Sequence, residues 1–188
     1  MADSRLEDQP LAADTFARLP QGFCALVTGA SGGIGRALIA ELLAHPHCGK
    51  VLAVSRDVSC LSAHPELETL EADLTTEQGT ARLEKWLAQQ LDGESETGQP
   101  PALILNALGL LHDEREQLWP EKRLEDLSLA ALTRLHQVNA FSPALLLGML
   151  APRLANTQSI PVAMTSLAVT CAIFSTSSGL FAAPNPML

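Results

Sequence analysis

Phe23-Cys24-Ala25-Leu26-Val27 runs directly into Thr28-Gly29-Ala30-Ser31-Gly32-Gly33-Ile34-Gly35, and this stretch decides the fold. Five apolar residues in a row suit a strand buried on both faces, as in a parallel sheet. The glycines follow at once and open a segment in which Ile34, Leu38 and Leu42 recur at i, i+4 and i+8, on one helical face. A bound pyrophosphate makes three demands of such a junction. The strand must turn tightly, the backbone must approach the anion without a Cβ, and the helix must aim its free N–H groups at it. Gly29, Gly33 and Gly35 serve these needs in turn, and Ser31 adds a hydroxyl donor. The competing explanation is an ordinary tight strand-to-helix turn, but strand, turn and helix stand here in the order a dinucleotide site requires.

The same alternation continues outward. Short apolar runs recur at Val51–Val54, Ala102–Leu105 and Ile160–Met164, with a weaker strand at Glu66–Glu71. Leu83, Leu87 and Leu91 mark a second helix, with Trp86 and Gln90 alongside. A long helix is expected over about Ser128–Ala151, capped by Ser128 and kinked by Pro143, which lacks a backbone donor. Its second half, Ala144–Ala151, is apolar all round and is expected to be buried by more than its own sheet. Strands alternating with helices give an α/β class: a Rossmann-type doubly wound parallel sheet, C-terminally incomplete. The expected organisation is an N-terminal extension at 1–22, a nucleotide-binding domain at 23–166 and an atypical tail at 167–188. The polar stretch Asp92–Pro101 reads as a surface loop before the fourth strand.

Composition narrows the function. The chain has 188 residues, one domain's worth, and 47% of them are hydrophobic, so a real core is expected. Lys and Arg number 12 against 21 Asp and Glu, a net charge of −9, which argues against a nucleic-acid partner. All 21 acids lie in residues 1–126, and no charged residue follows Arg153. Four scattered cysteines without a C-x-x-C pair fit small core fillers in a reducing compartment. His45-Pro46-His47-Cys48 lacks the spacing of a structural zinc site and reads as a helix-ending loop, so no metal is expected. Acidic residues at positions 3, 7, 8 and 14 are unlike a secretory or mitochondrial leader, so the expected location is cytoplasmic. The uncharged stretch 154–188 is diluted by Pro, Asn, Gln and many Ser and Thr, which disfavours a membrane anchor.

Thr28–Gly35 resembles the T-G-x-x-x-G-x-G fingerprint of the short-chain dehydrogenase/reductases, and the resemblance extends to about Ser166. It implies a Rossmann fold, a nicotinamide dinucleotide and a small carbonyl or alcohol substrate. It adds Thr28 and Ile34 to the glycine-turn residues as candidate cofactor contacts. Ser55-Arg56 ends the second strand, where an NAD site would carry an acid. A carboxylate there would repel a 2′-phosphate, whereas Arg56 can clamp it, so NADP is expected over NAD. Asp73-Leu74 follows the third strand. The resemblance gives Asp73 the adenine amino group, although capping of the next helix would equally favour an Asp. Asn106 and Gly109 match the family's strand-ending Asn-Asn-Ala-Gly, while Ala107 and Leu108 depart from it. The following Leu110–Asp113 is similar to the C-factor-like branch. Asn139 stands where the family keeps an Asn whose backbone carbonyl, released by a kink, holds a relay water. The alternative is a solvent-facing mid-helix residue.

The family's proton donor is missing. In these enzymes a Tyr protonates the forming alkoxide, a Lys four residues on supports it, and a Ser about 13 residues earlier orients the carbonyl. Ser166 stands where that Ser would, but the chain has no Tyr and its last Lys is Lys122. His112, which follows the strand-ending segment at the expected cofactor edge, is the one plausible substitute acid. The expected function is therefore an NADP-binding oxidoreductase-like protein with little or no turnover of its own. The alternatives are a non-enzymatic cofactor-binding or interaction protein and a truncated or frameshifted product. Self-association is also expected, from the all-apolar helix and from an open edge on the Ile160–Met164 strand.

Overall fold

Apolar side chains fill both faces of the central strands because helices cover both. In the computed structural model, which describes residues 19–91, 101–114, 116–119, 124–154, 160–163 and 172–173, β1 (Phe23–Thr28) and β4 (Leu103–Asn106) are buried throughout. β2 (Cys48–Ser55) is buried from Val51 onward. β3 (Leu67–Glu71) lies outside β2 and is half open. β5 (Ile160–Ala163) follows β4, and β6 (Ala172–Ile173) ends the sheet in the order β3-β2-β1-β4-β5-β6. The first five strands pair in parallel, and β6 is antiparallel to β5.

Alternate side chains of each strand feed two cores. On one face α1 (Gly33–Ala44) packs Ile39 and Leu42 against Ala25, Val27, Val51, Ala53, Leu103 and Leu105. On the other, α2 (Glu77–Leu91) and α4 (Ser142–Leu154) pack Leu83, Leu87, Leu146 and Leu150 against Leu26, Leu52, Val54 and Ile104. The sheet is thus doubly wound and of Rossmann type. The chain leaves β1 toward β2 and returns from β3 to β4 on its other side, so a crevice opens at the carboxyl ends of β1 and β4, where such folds bind ligands. Leu19 is buried in the α1-side core, so the end of the 1–22 extension packs with the domain. Cys24 and Cys48 are buried; burial pushes the Cys24 thiol up to about 12, against the opposing charge of Lys50. His45 ends α1, donating its N–H to Leu42 O.

Four expectations change. Ile34 is 57% exposed, and the buried stripe of α1 is Gly35, Ile39 and Leu42. A Cβ on Gly35 would run into Gly29 O, so the helix turns this glycine to the sheet and carries Ile34 away from it. The long helix is interrupted: α3 (Leu129–His136) and α4 are joined by a π-turn at Gln137–Phe141. Ser128 caps α3 as expected, its Oγ accepting from Ala131 N at 3.1 Å. The irregularity falls just before Pro143, which has no N–H to give the carbonyl four residues back. Ser142 adjusts by donating both its N–H and its Oγ, at 2.7 Å, to Gln137 O. The second half of the helix is not enclosed on all sides. Leu146 and Leu150 are buried, but Phe141, Leu145 and Gly148 face outward. Finally, β6 occupies the edge of β5 that the sequence left open. Residues 92–100 and the tail other than β6 lie outside the described residues.

Leu87 is wholly buried between α2 and the sheet. Leu87→Ala is expected to cost about 2–5 kcal/mol, as buried leucine truncations do, read as a lowered urea midpoint at unchanged slope. A loss under about 0.5 kcal/mol, typical of surface sites, would contradict this packing.

Candidate functional site: a crevice at the ends of β1 to β4

The carboxyl ends of four strands enclose a cavity of about 170 Å³. The glycine turn (Gly29, Ser31, Gly32) forms one wall, and Ser55 and Arg56 after β2 form the next. Ala72 to Thr75 after β3, Ala107 to Leu110 after β4, and Arg134 and Val138 of the long helix complete it.

The turn is held by contacts that admit no side chain. Gly29 has φ +70°, and a Cβ there would sit 2.5 Å from Ala107 O. Only glycine meets both the left-handed backbone and this approach. Gly32 N donates to Gly29 O at 3.1 Å, and Ala30 N donates to Val54 O at 3.1 Å. Gly33, the first residue of α1, has nothing within 4 Å of its Cβ direction, which leaves the helix N-terminus open to a ligand. Ser31 Oγ and Ser55 Oγ bond at 2.6 Å and tie the turn to the end of β2. Thr28 and Asn106 are used differently. Both are buried, and Thr28 Oγ1 donates to Asn106 Oδ1 at 2.6 Å, locking β1 to β4 beneath the cavity. Neither lines it, nor do Gly33, Ile34 and Gly35, whereas Gly109 and Leu74 do.

The charged wall centres on Arg56 and Asp73. Arg56 is exposed and has no ion-pair partner among the described residues. Asp73 Oδ1 accepts from Thr75 N at 2.9 Å and Thr75 Oγ1 at 2.7 Å. Burial alone would raise the Asp73 pKa. The two Thr75 bonds and the charges of Arg56 and Arg134 outweigh it and hold the carboxyl below the usual range. The cap of α2 is Thr76, whose Oγ1 accepts from Gly79 N at 3.0 Å, so Asp73 is not spent on that role. A Cβ on Gly79 would collide with Asp73 O, so this glycine lets α2 start directly beneath the acid.

Asn139 lies in the π-turn and is buried, not solvent-facing. Its side chain bonds Leu110 twice: Nδ2 donates to Leu110 O and Leu110 N donates to Oδ1, both at 2.7 Å. It therefore anchors the segment that follows β4. His112 is exposed, stacks on Trp119 with ring centroids 6.4 Å apart, and does not line the cavity. Ser166 lies outside the described residues.

Arg134, Thr75 and Val138 were not singled out from the sequence. Nothing in the spacing of a lone Arg and a Val on an amphipathic helix distinguishes them from an ordinary solvated and core pair.

Residues 25–93 match the NAD dependent epimerase/dehydratase family model. No curated protein sequence matches the chain. Among solved structures, a short-chain dehydrogenase/reductase from Saccharomyces cerevisiae is similar with a TM-score of 0.64 at 23% identity, over 82% of this chain and 57% of that one. A short-chain dehydrogenase from Leptospira borgpetersenii, with bound NAD+, gives 0.63 at 18% identity, over 83% and 56%. NADPH-bound carbonyl reductase from chicken fatty liver gives 0.61 at 21% identity, over 74% and 51%. The chain thus spans about half the length of these structures. Across that span the chain has the fold of the short-chain dehydrogenases/reductases, with the NAD dependent epimerase/dehydratase pattern in its first half.

Proposed function

We propose that the chain is a short-chain dehydrogenase/reductase-type binder of a nicotinamide dinucleotide, with NADP preferred, and that it belongs to an oxidoreductase of small carbonyls or alcohols. The observation that carries this reading is one cavity bringing together the glycine turn, an Arg56 without an ion-pair partner among the described residues, and Asp73. Backbone N–H groups at the start of α1 bind the pyrophosphate, with Ser31 beside them. Arg56 pairs the 2′-phosphate at the end of β2, where no acid stands in its way. Asp73 accepts from the adenine amino group, and Leu74 packs beside the base. Ala107 to Gly109 line the path toward the nicotinamide end, kept in place by Asn139. The nicotinamide supplies hydride when bound. Among these 188 residues no Tyr is present to protonate the product alkoxide.

A second reading, a cofactor-dependent interaction module without catalysis, is favoured by that same lack of a Tyr. Both readings include a homo-oligomer. Phe141, Leu145 and Gly148 form an exposed stripe one helical turn apart, the surface on which a second copy would pack. Among the described residues no helix is long and apolar enough to cross a membrane. A cytoplasmic location is proposed with both readings, on the scattered cysteines that suit a reducing compartment.

Calorimetric titration is expected to show NADPH binding more tightly than NADH, and Arg56→Asp is expected to reverse the order. Equal affinities in the unmodified chain would refute the role of Arg56. With aldehydes, ketones and quinones, cofactor oxidation should fall short of ordinary enzymatic rates, because the proton donor's contribution of about 10²–10⁴-fold is missing. A robust rate lost on His112→Ala or Ser166→Ala would instead identify another donor. Light scattering at tens of micromolar should report a dimer or larger, and Leu145→Glu a monomer. A monomeric unmodified chain would remove the interface.

A further inference from the structure

The adenosine end of the cavity contains a tie between its two walls that phosphate binding does not use. Arg134, on α3, donates from Nε and Nη2 to Oε2 and Oε1 of Glu116, each at 2.7 Å, on the segment after β4. This two-pronged geometry fixes the plane of the guanidinium. Its third nitrogen, Nη1, reaches Thr75 Oγ1 at 3.4 Å, on the segment after β3. An oxygen approached by a guanidinium N–H turns its own proton away, and Thr75 Oγ1 donates that proton to Asp73 Oδ1 at 2.7 Å. The Thr75 amide donates to the same oxygen at 2.9 Å. Gln137, the first residue of the π-turn that follows α3, donates from Nε2 to Thr75 O at 2.8 Å, so Thr75 is held at its carbonyl and at its hydroxyl. Both Thr75 donors thus converge on Oδ1, and Asp73 Oδ2 makes no hydrogen bond to a described residue.

We propose that Arg134 is a positioning residue for recognition of a 6-amino purine. Braced by Glu116, it orients the Thr75 hydroxyl, which fixes the Asp73 carboxylate with Oδ2 left to accept from the exocyclic amino group. The proposal rests on the reading of this cavity as a dinucleotide site with Asp73 at the base. It makes the helix, and not only the strand ends, a determinant of base specificity. An oxo group in place of the amino group presents an acceptor to an acceptor, so a rigidly aimed carboxylate discriminates against it, whereas a carboxylate that can turn discriminates less.

The test compares calorimetric affinities for NADP+ and for its hypoxanthine counterpart, which carries oxygen where adenine carries the amino group. The unmodified chain should prefer NADP+ by about tenfold or more, the usual worth of a hydrogen bond to a charged acceptor. Arg134→Gln should reduce that ratio by about three- to fivefold, the scale of a partly exposed ion pair, mainly through weaker NADP+ binding. Thr75→Val should reduce it likewise, and Thr75→Ser, which keeps the hydroxyl, should restore it. The Thr75 pair keeps the test decisive should Arg134→Gln fail to fold. Equal weakening of both ligands by Arg134→Gln would assign Arg134 a purely structural role and overturn the proposal, as would an unchanged ratio in Thr75→Val. An unmodified chain that binds neither dinucleotide would overturn the cofactor reading itself. One that binds both equally would remove Asp73 from the base while leaving the phosphate site standing.

Discussion

The structure depends on a backbone-to-backbone contact that no side chain can share. Gly29 presses against the Ala107 carbonyl at the end of β4, and Gly35 presses against the Gly29 carbonyl from the first turn of α1. These two approaches bring β1, α1 and β4 together at one point. They set the rotation of α1, which buries Ile39 and Leu42 and leaves Ile34 outside. They also leave the N-terminus of α1 open, because Gly33 carries nothing into the space before it. The fold and the open helix N-terminus are therefore one constraint, met at its tightest points by glycine.

Most of this was legible in the sequence because it is local. Apolar runs identify strands buried on both faces, and the glycine spacing places the turn between strand and helix. Arg56 and Asp73 are readable because each stands just past a strand end, where the fold points side chains into the crevice. Less legible were the features set by packing between elements. Ile34 fits the i, i+4, i+8 pattern with Leu38 and Leu42, but close packing at Gly35 outranks that pattern. Thr28 and Asn106 were readable as candidate cofactor contacts, but their bond to each other across 78 residues was not. The apolar second half of the long helix implied burial on every side, yet nothing within the described residues covers Leu145.

The long helix turned out to do more than pack. Its π-turn places Asn139 against both backbone groups of Leu110, and Arg134 reaches the segments after β3 and β4. Pro143 was readable as a disturbance of the helix. Its consequence, an inward-facing Asn139 at the π-turn, depends on how Ser142 closes the turn onto Gln137 and so is a tertiary outcome. Charge follows the same division of labour. Arg134 is neutralised by Glu116, whose carboxyl the Arg134 hydrogen bonds hold below its usual range, while Arg56 has no such partner among the described residues. One cation ties the walls together and the other stands exposed at the cavity.

The central claim, that the open N-terminus of α1 is an anion site for a dinucleotide, is tested most directly by one comparison. NADPH affinity is measured for the unmodified chain and for Gly33→Asp. A Cβ at this position meets no protein atom within 4 Å, and an acid in the first turn of a helix is favourable to its stability, so the melting temperature should hold. The account predicts that binding drops by at least about a hundredfold as a carboxylate takes the place of the phosphate, since like charges brought together at such a site cost several kcal/mol. NADPH bound with undiminished affinity by Gly33→Asp would contradict it.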